Sequence, residues 1–211
     1  MQTTPSLFNL KEINPIVRLF IVSDFFIVGG LGLLAPIFAL FITDFVEGAT
    51  IETVGIATTI YLITKSVGQM PIGILIDQWR GQKDDMLILI VSSLGFGVVS
   101  LAYIFVDSPV HLYALQFIYG LLAAASFPTW LAVFTRSIDK GKEGFEWSAY
   151  QTIADFGAAI TAFLGSFIAA TYGFTALFII MAIFSFIGTG SLLWASNIMF
   201  SKKKKGKGAT H

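Results

Sequence analysis

A lysine in the middle of an apolar run is the first residue in this sequence with chemistry to offer. Lys65 lies inside the stretch 52–77, far from either polar flank. Placing a lysine at mid-bilayer depth costs roughly 2.5–3.5 kcal/mol on insertion scales, so such a group faces protein or a wet cavity and marks a substrate or ion path by default. It does not stand alone. Thr58, Tyr61, Lys65 and Gln69 recur at helical spacing and form one polar stripe, and Ser148, Gln151 and Asp155 form another in the run 146–170. Asp24 interrupts the first apolar run, and Gln116 sits in the fourth beside Tyr113 and Tyr119. Two readings follow. Either Lys65 and Asp155 couple charge movement to transport, or they neutralise one another as a packing device.

Depth ranks these groups. At 1.5 Å per residue, Lys65 is about 18 Å from Asp77, and Asp155 is about 14 Å from Glu146. Asp24 is only about 9 Å from Arg18, so its carboxylate is expected to snorkel toward water. Lys65 and Asp155 therefore match in height. Tyr113, Gln116, Phe127 and Trp130 fall near one face of the fourth run and are candidates to line a cavity, one suited to amphipathic solutes rather than sugars. Other chemistry is not offered. There is no cysteine, and the two histidines, His111 and His211, lie near the expected water boundary. No H-E-x-x-H, G-x-S-x-G or phosphate-loop pattern occurs, so no enzyme, metal site, cofactor or ATP-driven step is expected.

The elements that must position these residues follow from composition. Of 211 residues, 55% are apolar and 12% charged, with 21 phenylalanines and a mean hydropathy of +0.80. A soluble domain carries roughly 25% charge, so a soluble globule, a disordered chain and a basic nucleic-acid binder are excluded. Six runs are long enough to cross a bilayer, which takes about 20 apolar residues: 17–43, 52–77, 86–106, 110–135, 146–170 and 174–199. Short polar breaks separate them, including Asp107-Ser108-Pro109 and Tyr172-Gly173-Phe174. The expected fold is an all-α six-helix membrane bundle over residues 17–199, with an N-terminal segment 1–16 and a basic tail 200–211. Continuous rather than alternating apolarity argues against a β-barrel. The first run is too long for a cleaved secretory signal.

Charge sets the orientation. The formal net charge is zero, with 13 Lys and Arg against 13 Asp and Glu. Lys11 and Arg18 flank the first run, Arg80 and Lys83 lie in the second break, Arg136, Lys140 and Lys142 in the fourth, and five lysines between 202 and 207 close the chain. Every Lys and Arg except Lys65 thus falls on one side, which the positive-inside rule makes cytoplasmic. A multi-pass protein of the plasma (inner) membrane with both termini inside is expected, and the lysine cluster reads as a topology anchor rather than a nucleic-acid motif. Gly29, Gly30, Gly32 and Pro36, then Pro71, Gly73, Gly120 and Pro128, suit a bundle that moves. Gly157, Thr161, Gly165 and Ala169 make a small-residue row fit for close helix packing, on a side away from Asp155.

The stretch Gly73-Ile-Leu75-Ile-Asp77-Gln-Trp-Arg80-Gly81-Gln-Lys83 resembles the loop signature of the major facilitator superfamily, G-x-L-x-D followed by Gly and basic residues. The resemblance covers nearly the whole chain and identifies it with the N-terminal six-helix half. It implies a secondary-active transporter of a small solute working by alternating access, with Gly73, Asp77, Arg80, Gly81, Lys83 and Arg136 in a gating loop that latches one conformation. Asp77 falls at a helix C-terminus, where the dipole disfavours an anion, so it is expected to take a cation from Arg80, Arg136 or a partner helix. Three positions depart from the family pattern. Arg80 stands where its Gly falls, Gln116 stands where span 4 carries Arg, and Thr161-Ala162 replaces the Gly-Pro of antiporters.

Family members hold two such halves in parallel orientation about a pseudo-two-fold along the membrane normal. One half leaves its cavity face uncovered, so the chain is expected to pair with a second copy or with a separate six-helix half. The resemblance further implies that in a homodimer span 2 of one copy would meet span 5 of the other, twice by symmetry, bringing Lys65 and Asp155 together. The competing expectation is a scaffold or regulatory subunit that does not transport. Coupling candidates are Lys65, Asp155, Asp24, Gln116, Gln151, Gln69 and Tyr61, with Tyr113, Phe127 and Trp130 as cavity lining. The lipid bilayer and a small-molecule substrate complete the expected partners.

Overall fold

The computed structural model describes residues 13–79 and 81–207, and every regular element among them is helical. The first apolar run begins at Asn14, whose side-chain oxygen accepts from Ile16 N–H at 3.0 Å, with Pro15 at the first helical position. These features close the open end of α1 (Pro15–Leu34). Pro36 brings no N–H to the ladder, and the chain tightens to a short 3₁₀ turn over Ala35–Ile37 before α2 (Phe38–Phe45) continues the crossing. α3 (Ile51–Trp79), α4 (Gln82–Ala102) and α5 (Pro109–Ser137) follow. The turns after α2 and before α5 are tied where Glu47 N–H donates to the Asp107 carbonyl at 3.0 Å.

Five helical stretches are apolar and long enough to span a membrane, where six were expected. The difference lies at Gly173. Residues of the fifth and sixth runs form one element, α6 (Glu143–Lys207), interrupted by a non-helical φ of 82° and ψ of 172° at Gly173. A glycine is needed there because other residues meet a steric penalty at positive φ. The contacts of α6 with α1 explain the count. Tyr150 meets Asp24 and Thr161 meets Gly29, whereas Phe174 meets Phe41, Met181 meets Gly30 and the Ser191 hydroxyl donates to the Leu19 carbonyl at 2.9 Å. The order reverses at Gly173, so the two arms of α6 run beside α1 in opposite directions.

The small-residue row accounts for the first arm's approach. A Cβ on Gly165 would collide with the Leu33 carbonyl, one on Gly157 would strike the Phe25 ring, and Thr161 is buried against Gly29 and Gly32. Two apolar cores stack along the bundle. One, toward the Asp107 end, holds Leu33, Phe41, Phe96, Tyr103, Tyr119 and Phe178; the other, toward the Arg136 end, holds Phe20, Met86, Leu89, Trp130, Phe134 and Leu192. α3 differs from the rest. It packs chiefly on α5, through Gly68 against Ala124 and Gly120 against Thr64. It is the least apolar of the spanning helices and also the least covered, with 6% of its most apolar stretch buried against 39–50% for the others.

Candidate functional site

Lys65 stands at the midpoint of the 29-residue α3, about 21 Å from either end. It points into a cavity of about 320 Å³ shared by α1, α3, α4, α5 and α6. The cavity sits where the two apolar cores meet: Phe96, Tyr119 and Ala123 belong to one, Leu89, Trp130 and Leu192 to the other. The Lys65 ammonium lies 4.9 Å from the centroid of Phe127 and 5.9 Å from that of Tyr61. Such contacts over aromatic faces stabilise a cation by about 0.5–2 kcal/mol depending on hydration. Among the described residues no carboxylate pairs with it.

Asp24 lines the same cavity. Rather than reaching toward water as its depth suggests, its carboxylate accepts a hydrogen bond from the Tyr150 hydroxyl at 2.9 Å. The sequence offers no sign of this pairing, because the residues lie 126 positions apart and are brought together only by α1 packing on the first arm of α6. Tyr150 is in turn held by Trp130 and Phe134, with ring centroids 4.9 and 5.3 Å away.

Three further groups at this cavity lie outside the sequence-based candidates or gain a new role. The Ser93 hydroxyl, the Tyr119 hydroxyl and the Trp130 indole N–H are buried without a hydrogen-bond partner among the described residues. All three residues contribute to the wall of the Lys65 cavity, but the polar atoms themselves have almost no accessible surface. Ser93 carried no signal, since serine on a membrane helix usually bonds its own backbone.

The remaining candidates divide. Thr58, Tyr61 and Gln116 line a second cavity of about 260 Å³ nearer the Asp107 end, with Gln116 buried. Phe127 and Trp130 line the Lys65 cavity, whereas Tyr113 packs against the Asp107-end core. Gln69 is half-buried on α3 and lines neither cavity. Gln151 donates to Asp155 at 2.8 Å, and both are exposed on α6 and line neither cavity. Within one chain the structure therefore gathers Lys65 with Asp24.

The loop between α3 and α4 is built around Arg136, in the last turn of α5. Its guanidinium donates to Asp85 at 2.7 Å and stands 3.7 Å from Asp77. Arg136 is thus the cation beside Asp77; Arg80 lies outside the described residues. The Asp85 side chain is 2% exposed and that of Asp77 82%, so the principal partner of Arg136 is Asp85, a residue outside the sequence-based candidates. Its signal was the acidic pair Asp84-Asp85 in the first turn of α4, where a helix dipole favours anions. Gly81 precedes that helix in extended conformation, and Gly73 borders a groove with Pro128 and Arg136. The Lys83 ammonium rests 5.7 Å from the Phe200 ring. On the same side, buried Glu146 accepts from the backbone N–H of Asn14 and of Asp139, both at 3.3 Å, fastening the start of α1 to the α5–α6 connection. Lys11 lies outside the described residues, as does the end of the basic tail.

Comparison with known proteins agrees with this geometry. Residues 20–209 match the family model described as Major Facilitator Superfamily. The chain is similar to a protein of Methanocaldococcus jannaschii named an uncharacterized MFS-type transporter, with 24% identity over 177 residues. That alignment covers 83% of this chain and 44% of the relative, so the chain spans less than half the relative's length.

Proposed function

The chain belongs to the major facilitator superfamily, and on that premise we propose that it is a secondary-active transporter of a small solute, working by alternating access with a second six-helix unit. One observation carries the reading: an ammonium at the midpoint of a membrane helix lines a cavity that Asp24 also lines, and among the described residues no carboxylate forms an ion pair with it. Intramembrane charge is expensive to keep unless it does something. Lys65 then binds or couples the solute, Asp24 serves as the second charged group, and the Arg136–Asp77 contact latches one conformation.

The uncovered face of α3 supports the second unit. A helix that is both the least apolar and the least buried is poorly suited to lipid on all sides. Asp155 and Gln151 are exposed on α6, and a same-oriented second copy about an axis along the membrane normal would set them opposite Lys65 of its partner. The protein then lies in the plasma (inner) membrane with both termini cytoplasmic.

The test is solute flux in proteoliposomes of the full chain, under imposed pH and sodium gradients, with uptake from a mixed solute panel read by mass spectrometry. The wild type is expected to accumulate at least one solute, and Lys65→Ala to reduce that flux at least about tenfold. A silent wild type would favour the second reading, a non-transporting scaffold or regulatory subunit. The departures at Gln116 and Thr161-Ala162 from the family pattern are what give that reading weight.

A further inference from the structure

From the placing of its two charges we infer that the Lys65 cavity takes an amphipathic zwitterion, a compound of the amino-acid class whose carboxylate meets Lys65 and whose ammonium meets Asp24. The inference rests on the transport reading above and names the substrate class of the same site. Lys65 and Asp24 line one cavity, yet among the described residues they form no ion pair with each other. Each is held by its own neighbours instead. The Lys65 ammonium lies over the Phe127 and Tyr61 rings, 4.9 and 5.9 Å from their centroids. The Tyr150 hydroxyl donates to Oδ2 of Asp24 at 2.9 Å, and the Tyr150 ring packs on Trp130, Phe134 and Trp147.

Neither set of neighbours neutralises the charge it holds. An ammonium has three N–H donors, and a carboxylate has two oxygens with room for about four hydrogen bonds, of which one hydroxyl fills one. Opposite charges kept apart in a site of low dielectric are costly to leave without counter-ions. A ligand that relieves both must carry both signs. A simple anion relieves Lys65 but brings a second negative charge near Asp24, and a simple amine does the reverse at Lys65. An uncharged solute displaces water from both and replaces it at neither. The rest of the wall, including Ile27, Val28, Leu31 and Leu89, is apolar and fits a hydrophobic side chain. A volume of about 320 Å³ is at the small end of ligand sites, which suits a single amino acid or a zwitterion of similar size.

Two matched trios separate the charge types. Phenylalanine is compared with 3-phenylpropionate and phenethylamine, and 4-(aminomethyl)benzoate, whose charges lie farther apart, with benzoate and benzylamine. Binding of each to the full chain in detergent is measured by calorimetry. In at least one trio the zwitterion is expected to bind at least about tenfold more tightly than either single-charge analogue, as a charge-assisted contact at each end provides. Lys65→Gln should erase its advantage over the amine and keep that over the carboxylate. Asp24→Asn should erase its advantage over the carboxylate and keep that over the amine. This reciprocal pattern is one that a merely loosened fold does not produce. A single-charge analogue as tight as the zwitterion in both trios, variants that weaken all ligands alike, or binding of none would overturn the assignment. The transport reading survives those outcomes if the flux panel still yields a solute, and falls separately if the wild type is silent.

Discussion

Arg136 joins α5 to α4 at one end of the bundle by donating to the buried carboxylate of Asp85 across 2.7 Å. The bond ties the last turn of α5 to the first turn of α4. The same guanidinium extends toward Asp77 at 3.7 Å, so one cation holds a buried anion tightly and an exposed anion loosely. This division separates a tight, buried contact from a loose, exposed one.

Asp85→Ala is accordingly expected to lower stability, by about 1.5–3 kcal/mol, the usual range for a hydrogen bond to a charged group. Asp77→Ala should cost under about 1 kcal/mol, since its pair is largely exposed. Thermal melting of the two variants in one detergent compares them directly. Equal melting temperatures would mean that Arg136 does not distinguish the two carboxylates.

Asp24→Asn keeps an acceptor for the Tyr150 hydroxyl while removing the charge. The variant is expected to elute as a single species with near wild-type melting, and to slow flux at least about tenfold. Unaltered flux would reduce the Asp24–Tyr150 bond to a packing contact.

Gly165→Ala places a methyl on the Leu33 carbonyl and should cost about 1–3 kcal/mol through separation of α1 from α6. Gly190→Ala is the matched control, since nothing lies within 4 Å of the added carbon. It should be neutral or stabilise by up to about 1 kcal/mol through helix propensity. A control as unstable as Gly165→Ala would show that close approach is not what the row provides.

Because the sequence has no cysteine, Lys65→Cys and Asp155→Cys can be introduced cleanly. Oxidising membranes that carry the double variant is expected to give a dimer band on non-reducing gels, and neither single variant should reproduce its yield. Cross-links confined to monomers would defeat the copy-to-copy arrangement, whatever the flux data say.

Much of this molecule was legible along the chain because membrane insertion is decided locally. Twenty apolar residues make a span wherever they occur, before any two helices touch. Lys65, Asp77, the small-residue row from Gly157 to Ala169 and the turn at Gly173 were readable for that reason. Which polar groups meet was not. Helical spacing gives the face a residue occupies and not the helix that faces it, so Asp24 was set apart from Lys65 although both line one cavity, and Tyr150 drew no notice. Asp85 looked like an ordinary first-turn acid until α5 delivered Arg136 to it. Ser93, Tyr119 and Trp130 acquire meaning only as neighbours, because an unsatisfied hydrogen bond is a property of surroundings that lateral packing alone supplies.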